Sequence, residues 1–294
     1  MEEIIYQYLS GQFADDDTLT SYMGLPAVFN TKAPDDKDDG WDANSQYPRV
    51  IFDLNMQADP ERKVSGQLYI DIMCEHNMTA PIEDIEALLK EAVDGCFFSN
   101  EEMTISAQWN TQKDFEQPDD KVSGTTLVFD VLAYPVQITE SPDPVAATNL
   151  WLKTLYPDAY VIGKDELPTT WNPTDNSPAI YCSLYRIGDS PRLKSSYNVD
   201  WFGAELHVNV MAPSESIRST LCKQIIQLLT HATRIILDDG SPMLIDNVSS
   251  NMTADPLRIG QIKINGTYGV LPIRTGTPLK HAYIKGMQAE KEVN

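Results

Sequence analysis

Ile4, Ile5, Tyr8 and Leu9 recur at helical spacing, which predicts a short amphipathic helix over residues 2–10. Leu25-Pro26-Ala27-Val28-Phe29-Asn30 reads as a first short strand. Residues 47–56 and 65–75 alternate apolar and polar positions, as an antiparallel pair with one wet face would. Thr79-Ala80-Pro81-Ile82-Glu83-Asp84 carries the signals of a helix start: a capping threonine, a proline tolerated in the first turn, and acids at the positive end of the helix dipole. Ile82, Ile85, Leu88, Leu89 and Val93 then line one face, and Gly95 can end the helix. Residues 103–110 and 122–134 read as two further strands around a polar loop at 111–121.

The same order then repeats. A helix is predicted at about 146–155, carrying Leu150, Trp151 and Leu155, followed by a strand near 159–163, a polar loop and strands at 178–187 and 201–211. A second long helix at about 214–231 places Ile217, Leu221, Ile225, Leu228 and Leu229 on one face, and strands at 243–250 and 257–269 close the unit. Pro48 and Pro178 lie 130 positions apart, Pro81 and Pro213 lie 132 apart, and Gly124 and Gly260 lie 136 apart. A nearly constant offset indicates duplication. The expected fold is α+β: two tandem copies of a small domain in the order α-β-β-β-α-β-β, each a mainly antiparallel sheet packed against helices. The first copy spans residues 1–136, a linker containing Pro142 and Pro144 spans 137–146, the second copy spans 147–271, and 272–294 form a tail or arm. A repeated building block favours architecture over catalysis.

Charge separates the two copies. Residues 1–140 hold 28 acidic and 8 basic side chains, whereas residues 141–294 hold 15 and 14, within a net charge of −21. So acidic a first half repels phosphate backbones, which excludes ordinary nucleic-acid binding. The acids serve solubility, or let this copy face something it must not hold, or meet a basic partner. The basic residues of 272–294 suit an arm that reaches an acidic first copy on a neighbouring subunit. The chain's 294 residues suffice for two cores, no run approaches the ~20 apolar residues of a membrane span, and the acidic start lacks the basic opening of a secretory signal. A protein folded in the cytoplasm, with no membrane partner, is expected. Cys74, Cys96, Cys182 and Cys222 sit widely spaced in apolar segments and read as buried free thiols.

Candidate chemistry is sparse. There is no GxxxxGK[ST] loop, GxGxxG turn, HExxH helix or GxSxG elbow, and His76, His207, His231 and His281 fall at no metal-binding spacing. Asp35-Asp36-Lys37-Asp38-Asp39-Gly40-Trp41-Asp42 partly resembles a calcium loop, but Lys37 occupies the third ligand position and Gln46 stands where a bidentate glutamate is required. No metal, cofactor or catalytic residue is therefore expected, and the chain reads as a non-enzyme. Trp41, Trp109, Trp171 and Trp201 suit either core and subunit interfaces or stacking on sugars. The residues singled out for function are acids of exposed loops: Asp35, Asp36, Asp38, Asp39, Asp42, Asp119 and Asp120, candidates for a channel-facing or docking surface.

Three segments carry a family resemblance. Tyr47-Pro48-Arg49-Val50-Ile51-Phe52, Leu68-Tyr69-Ile70-Asp71-Ile72 with the helix at 82–93, and Gly124 to Tyr134 resemble the strand after the variable loop, the strand before the main helix, and the closing strand of the phage tail terminator and tail completion proteins. Pro178 to Leu184, Leu206 to Val210 and Ile259 to Tyr268 repeat the pattern. The resemblance implies a virion protein, assembled in the host cytoplasm, that forms a ring capping the tail tube, stops tail growth and joins tail to head. The ring is usually of six subunits; family members usually carry one such domain, so a trimer of duplicated chains is the alternative. Implied neighbours are other copies of the chain, the tail tube protein, a neck or head-completion protein and a sheath protein, with DNA passing through unbound. The rival reading is a baseplate or tail-fibre-associated module recognising a host glycan or another tail protein.

Overall fold

The computed structural model describes residues 1–14, 17–34, 41, 46–57, 65–75, 79–117, 121–137, 140–251 and 260–271. The first half contains α1 (Glu2–Gln12), β1 (Ser21–Tyr22), β2 (Leu25–Pro26), β3 (Val28–Asn30), β4 (Arg49–Met56), β5 (Gly66–Glu75), α2 (Thr79–Val93), β6 (Phe97–Ser99), β7 (Met103–Gln117) and β8 (Val122–Pro135). The second contains α3 (Pro144–Leu155), β9 (Tyr160–Ile162), β10 (Thr170–Trp171), β11 (Ala179–Asp189), β12 (Asp200–Met211), α4 (Glu215–Ala232), β13 (Arg234–Ile236), β14 (Pro242–Ser250) and β15 (Ile262–Val270).

One sheet runs β10-β6-β7-β8-β5-β4-β3 and the other β13-β14-β15-β12-β11-β9. Without β10, the two orders are the same, with α1 matching α3 and α2 matching α4. The pairing agrees closely, except that β11 skips Tyr185 against β12 while the matching β4–β5 ladder is continuous. β3–β4 and β9–β11 are parallel, the other ladders are antiparallel, and the ladder after the short strand skips one residue in each half, Asn110 in β7 and Asp246 in β14. The fold is α+β and duplicated. The sequence landmarks fare unevenly. Pro48 and Pro178 each stand just before the first residue of β4 and β11, whereas Pro81 is the third residue of α2 and Pro213 lies outside α4. Gly124 sits inside β8, while Gly260 precedes β15 at φ +80°.

Each half buries one sheet face against its helices. Along β5, Leu68, Ile70, Ile72 and Cys74 are buried and the alternate residues half-buried, the period that one wet face imposes. Ile85, Leu89 and Val93 of α2, with Ile5 and Leu9 of α1, close that core over Phe52 and Phe129. In the second half Leu206, Val208 and Val210 meet Leu221, Cys222, Ile225 and Leu229 of α4 and Val145 and Leu152 of α3. Each such aliphatic side chain contributes about 1.5–3 kcal/mol.

Four local details correct or refine the expectations. α3 starts at Pro144, with the Asp143 carboxylate accepting from the Val145 and Ala146 amides at 2.8 and 3.0 Å, so Pro144 begins a helix rather than stiffening a linker. Leu150 and Leu155, placed on the helix as apolar markers, are exposed, because α3 turns Val145, Ala147, Thr148, Asn149 and Leu152 inward. Leu228 is exposed too, at the edge of the stripe that α4 buries. β7 continues through Gln117 rather than ending in a loop at 111; residues 111–117 are solvated on both faces apart from half-buried Phe115, which erases the alternation that marks a strand.

The halves are fused. β10, from the second half, pairs antiparallel with β6 of the first, Thr170 opposite Phe98 and Trp171 opposite Phe97. Phe97, Leu132 and Tyr134 pack with Ile162, Trp171, Ala179, Tyr181 and Met211 in a third apolar cluster at the junction. Trp171 stacks on Phe97 at 4.5 Å and donates its indole N–H to Ser99 Oγ at 3.1 Å. The Tyr181 hydroxyl donates to the Pro135 carbonyl at 3.0 Å, and the Leu184 amide to Gln137 Oε1 at 2.8 Å.

Candidate functional site

The acids singled out from sequence, Asp35, Asp36, Asp38, Asp39, Asp42, Asp119 and Asp120, lie outside the described residues, as do His76, His281 and residues 272–294. Trp41 lies between them, buried, with its ring edge-to-face against Tyr22 at 5.0 Å and Phe29 at 5.4 Å. Trp41, Tyr22 and Phe29 thus form an aromatic triad at the outer edge of the first sheet.

That triad borders a groove of about 400 Å³. One wall is the start of α1, with Glu2, Glu3 and Tyr6; the floor is β3, with Val28, Phe29 and Asn30; the lip is the β1–β2 hairpin and Lys32. The hairpin pairs Ser21 with Pro26 and Tyr22 with Leu25 around Met23-Gly24. Both central residues have positive φ, +52° for Met23 and +81° for Gly24, the two-residue turn that suits the twist of paired strands. This turn holds Met23 73% and Leu25 56% exposed. On the opposite wall, Glu2 accepts from Asn30 Nδ2 at 2.9 Å, which fixes one carboxylate at the rim. Sequence reasoning missed the groove because it read 25–30 as one strand; Met23-Gly24 between Tyr22 and Leu25 was the available hairpin signal.

A second feature is polar and lies on the second sheet. Glu205 accepts from Lys263 Nζ at 2.6 Å and pairs with His207 Nε2 at 3.0 Å, while the His207 ring stacks flat on Tyr185 at 4.3 Å. Burial pushes the Glu205 carboxyl up, but hydrogen bonds from Lys263 and His207 outweigh it and hold the acid below its ordinary value. His207 therefore serves a cross-strand network on β11, β12 and β15.

The cysteines are free and buried. Burial pushes the thiols of Cys74, Cys96 and Cys222 up to about 11, and Cys182, beside Asp143, higher still. Such thiols are poor nucleophiles and ligands at neutral pH. Trp171 and Trp41 are buried; Trp109, at the exposed end of the β7 bulge, has Lys90 Nζ 4.5 Å above its ring. No cluster of three or more histidine, cysteine or carboxylate side chains suited to a metal occurs among the described residues. No helix among them is long and apolar enough to cross a membrane.

No protein-family model matches the chain, and no curated protein matches it. Among solved structures, a chain from "Virion of native gene transfer agent (GTA) particle" is similar over 42% of this chain and 90% of its own length, at 15% identity and a TM-score of 0.30. A likeness that slight carries no argument about function.

Proposed function

We propose that this chain is a non-enzymatic structural virion protein that forms a ring closing the tail tube of a phage-like particle and joining tail to head. The observation that supports this reading is the repetition of strand order, β10 aside, across two fused halves, in the element order on which the resemblance to tail terminators rests. A ring requires head-to-tail contacts between unlike surfaces that close on themselves. A duplicated chain supplies unlike surfaces on one scaffold, and the difference in charge between its halves suits them to different neighbours. In this reading the acidic half lines or approaches the channel and weakens adhesion of passing DNA, while tube, neck and sheath proteins meet the remaining faces. The rival glycan-binding reading needs accessible tryptophans; of those named for it above, Trp41 and Trp171 are buried, which leaves Trp109, with Lys90 over its ring, and half-buried Trp201.

Negative-stain imaging of the purified full-length chain separates the two. Rings with a central opening are expected; a monodisperse monomer that binds immobilised glycans would replace the ring reading with the rival.

A further inference from the structure

We infer that the groove beside the β1–β2 hairpin is the seat for residues 272–294 of a second copy of this chain, an arm that links neighbouring subunits. This rests on the ring reading and adds the contact that holds the ring together.

The groove and the segment match in chemistry. The groove offers an apolar floor at Val28 and Phe29, two exposed apolar side chains at Met23 and Leu25, and the carboxylates Glu2 and Glu3 at its rim. From Leu271 to Ala289 the chain carries Arg274, Lys280 and Lys285 and no acid, interleaved with Ile273, Leu279, Tyr283, Ile284 and Met287. That is a cationic, apolar stretch in a protein whose net charge is −21. Apolar anchors flanked by cations fit an apolar trough with two carboxylates on the α1 wall against a single lysine, Lys32, at the lip, and the excess of opposite charge steers the encounter.

The geometry favours a neighbour over the same chain. Leu271, directly after β15 and before the segment, is 75% exposed. The groove lies against β3, the last strand of its sheet, whereas β6 and β10 at the other end are fused to the second half. Six strand spacings of ~4.8 Å put the groove about 29 Å from that junction. Twenty-three residues reach at most ~75 Å when extended, ample to cross a subunit boundary. Head-to-tail association brings the free end of one first half towards the second half of the next copy, which is where the segment starts.

The test is photo-crosslinking of the full-length protein with benzoylphenylalanine in place of Met23, in an equal mixture of ¹⁴N- and ¹⁵N-labelled chains. Crosslinked peptides of mixed isotope that map to 272–294 are expected. Crosslinks confined to one isotope, or to other segments, overturn the inference. Two variants add an independent readout: a chain ending at Leu271, and the double variant Glu2→Lys with Glu3→Lys. Each should keep its circular dichroism spectrum and lose at least tenfold in subunit association measured by mass photometry. Rings that persist unchanged in both variants overturn this arm contact and leave the ring reading standing; a wild-type chain that is monomeric at every concentration overturns both.

Discussion

Trp171→Ala tests whether the two halves form one cooperative body. Trp171 is 8% exposed, stacks on Phe97 with ring centroids 4.5 Å apart, and meets Tyr160 at 4.7 Å. Truncating a buried tryptophan costs about 3–5 kcal/mol, of which the ring pairing accounts for ~0.5–1.5 kcal/mol beyond area. A further ~1 kcal/mol belongs to the indole N–H bond to Ser99 Oγ, itself shared with Thr104. Against a total of ~5–15 kcal/mol this is a large loss, and it falls at the junction rather than in either core. Differential scanning calorimetry should show one transition in the wild type and two in Trp171→Ala, since the main apolar clusters of the halves share no residue. Trp171→Phe keeps the stack and loses the hydrogen bond, so urea denaturation should place it ~1 kcal/mol below wild type. A Trp171→Ala chain within ~1 kcal/mol of wild type, or equal to Trp171→Phe, would refute the role given to this junction.

Three further outcomes follow from local geometry. Thr233 ends α4 at φ +56°, a left-handed conformation that a β-branched residue adopts at a cost of about 1–2 kcal/mol; Thr233→Gly should raise the melting temperature by a few degrees, and an unchanged or lower value counts against the strain. A Cβ on Gly66 would overlap the Asn55 carbonyl and lie 2.9 Å from Met56 Cα, so Gly66→Ala should destabilise by about 2–3 kcal/mol in chemical denaturation, whereas Gly11→Ala, with open space around it, should be neutral or stabilising. Cys74, Cys96 and Cys222 titrate near 11 folded and near the ordinary thiol value unfolded. Above that ordinary value the unfolded chain releases protons that the folded chain keeps, so stability is complete below about pH 8.5 and declines towards pH 11. Urea midpoints that stay flat from pH 8 to pH 10.5, or rapid labelling of the native thiols by a disulfide reagent at pH 8, would contradict this.

Legibility in the sequence tracked the contrast between a strand's two faces. β4, β5 and the middle of β12 were readable because helices cover one face and water the other, so burial alternates along them, whereas β11 runs from a fully buried start to a fully exposed end. β6 and β13, three residues each, are too short to show a period, and together they account for the strand missing from each predicted unit. The outer part of β7 was hidden for the opposite reason: water on both faces leaves a polar run that looks like a loop. β10 could not be foreseen, since two residues gain their meaning from a partner strand in the other half, with Trp171 bonded to Ser99 72 positions earlier. Duplication was visible from element order, although only the Pro48 and Pro178 landmark sits at matching places. As for the candidate site, the acids picked out by composition lie outside the described residues, while the groove depends on a reversal of direction at Met23-Gly24 that the strand-like run Leu25 to Asn30 masked.

The most direct test of the central claim is cryo-electron microscopy of the purified full-length protein, with class averages viewed down the axis. A closed ring is predicted in which the number of α+β lobes is twice the number of chains, alternating between two environments. A particle population of single two-lobed chains, or an open filament, would contradict it.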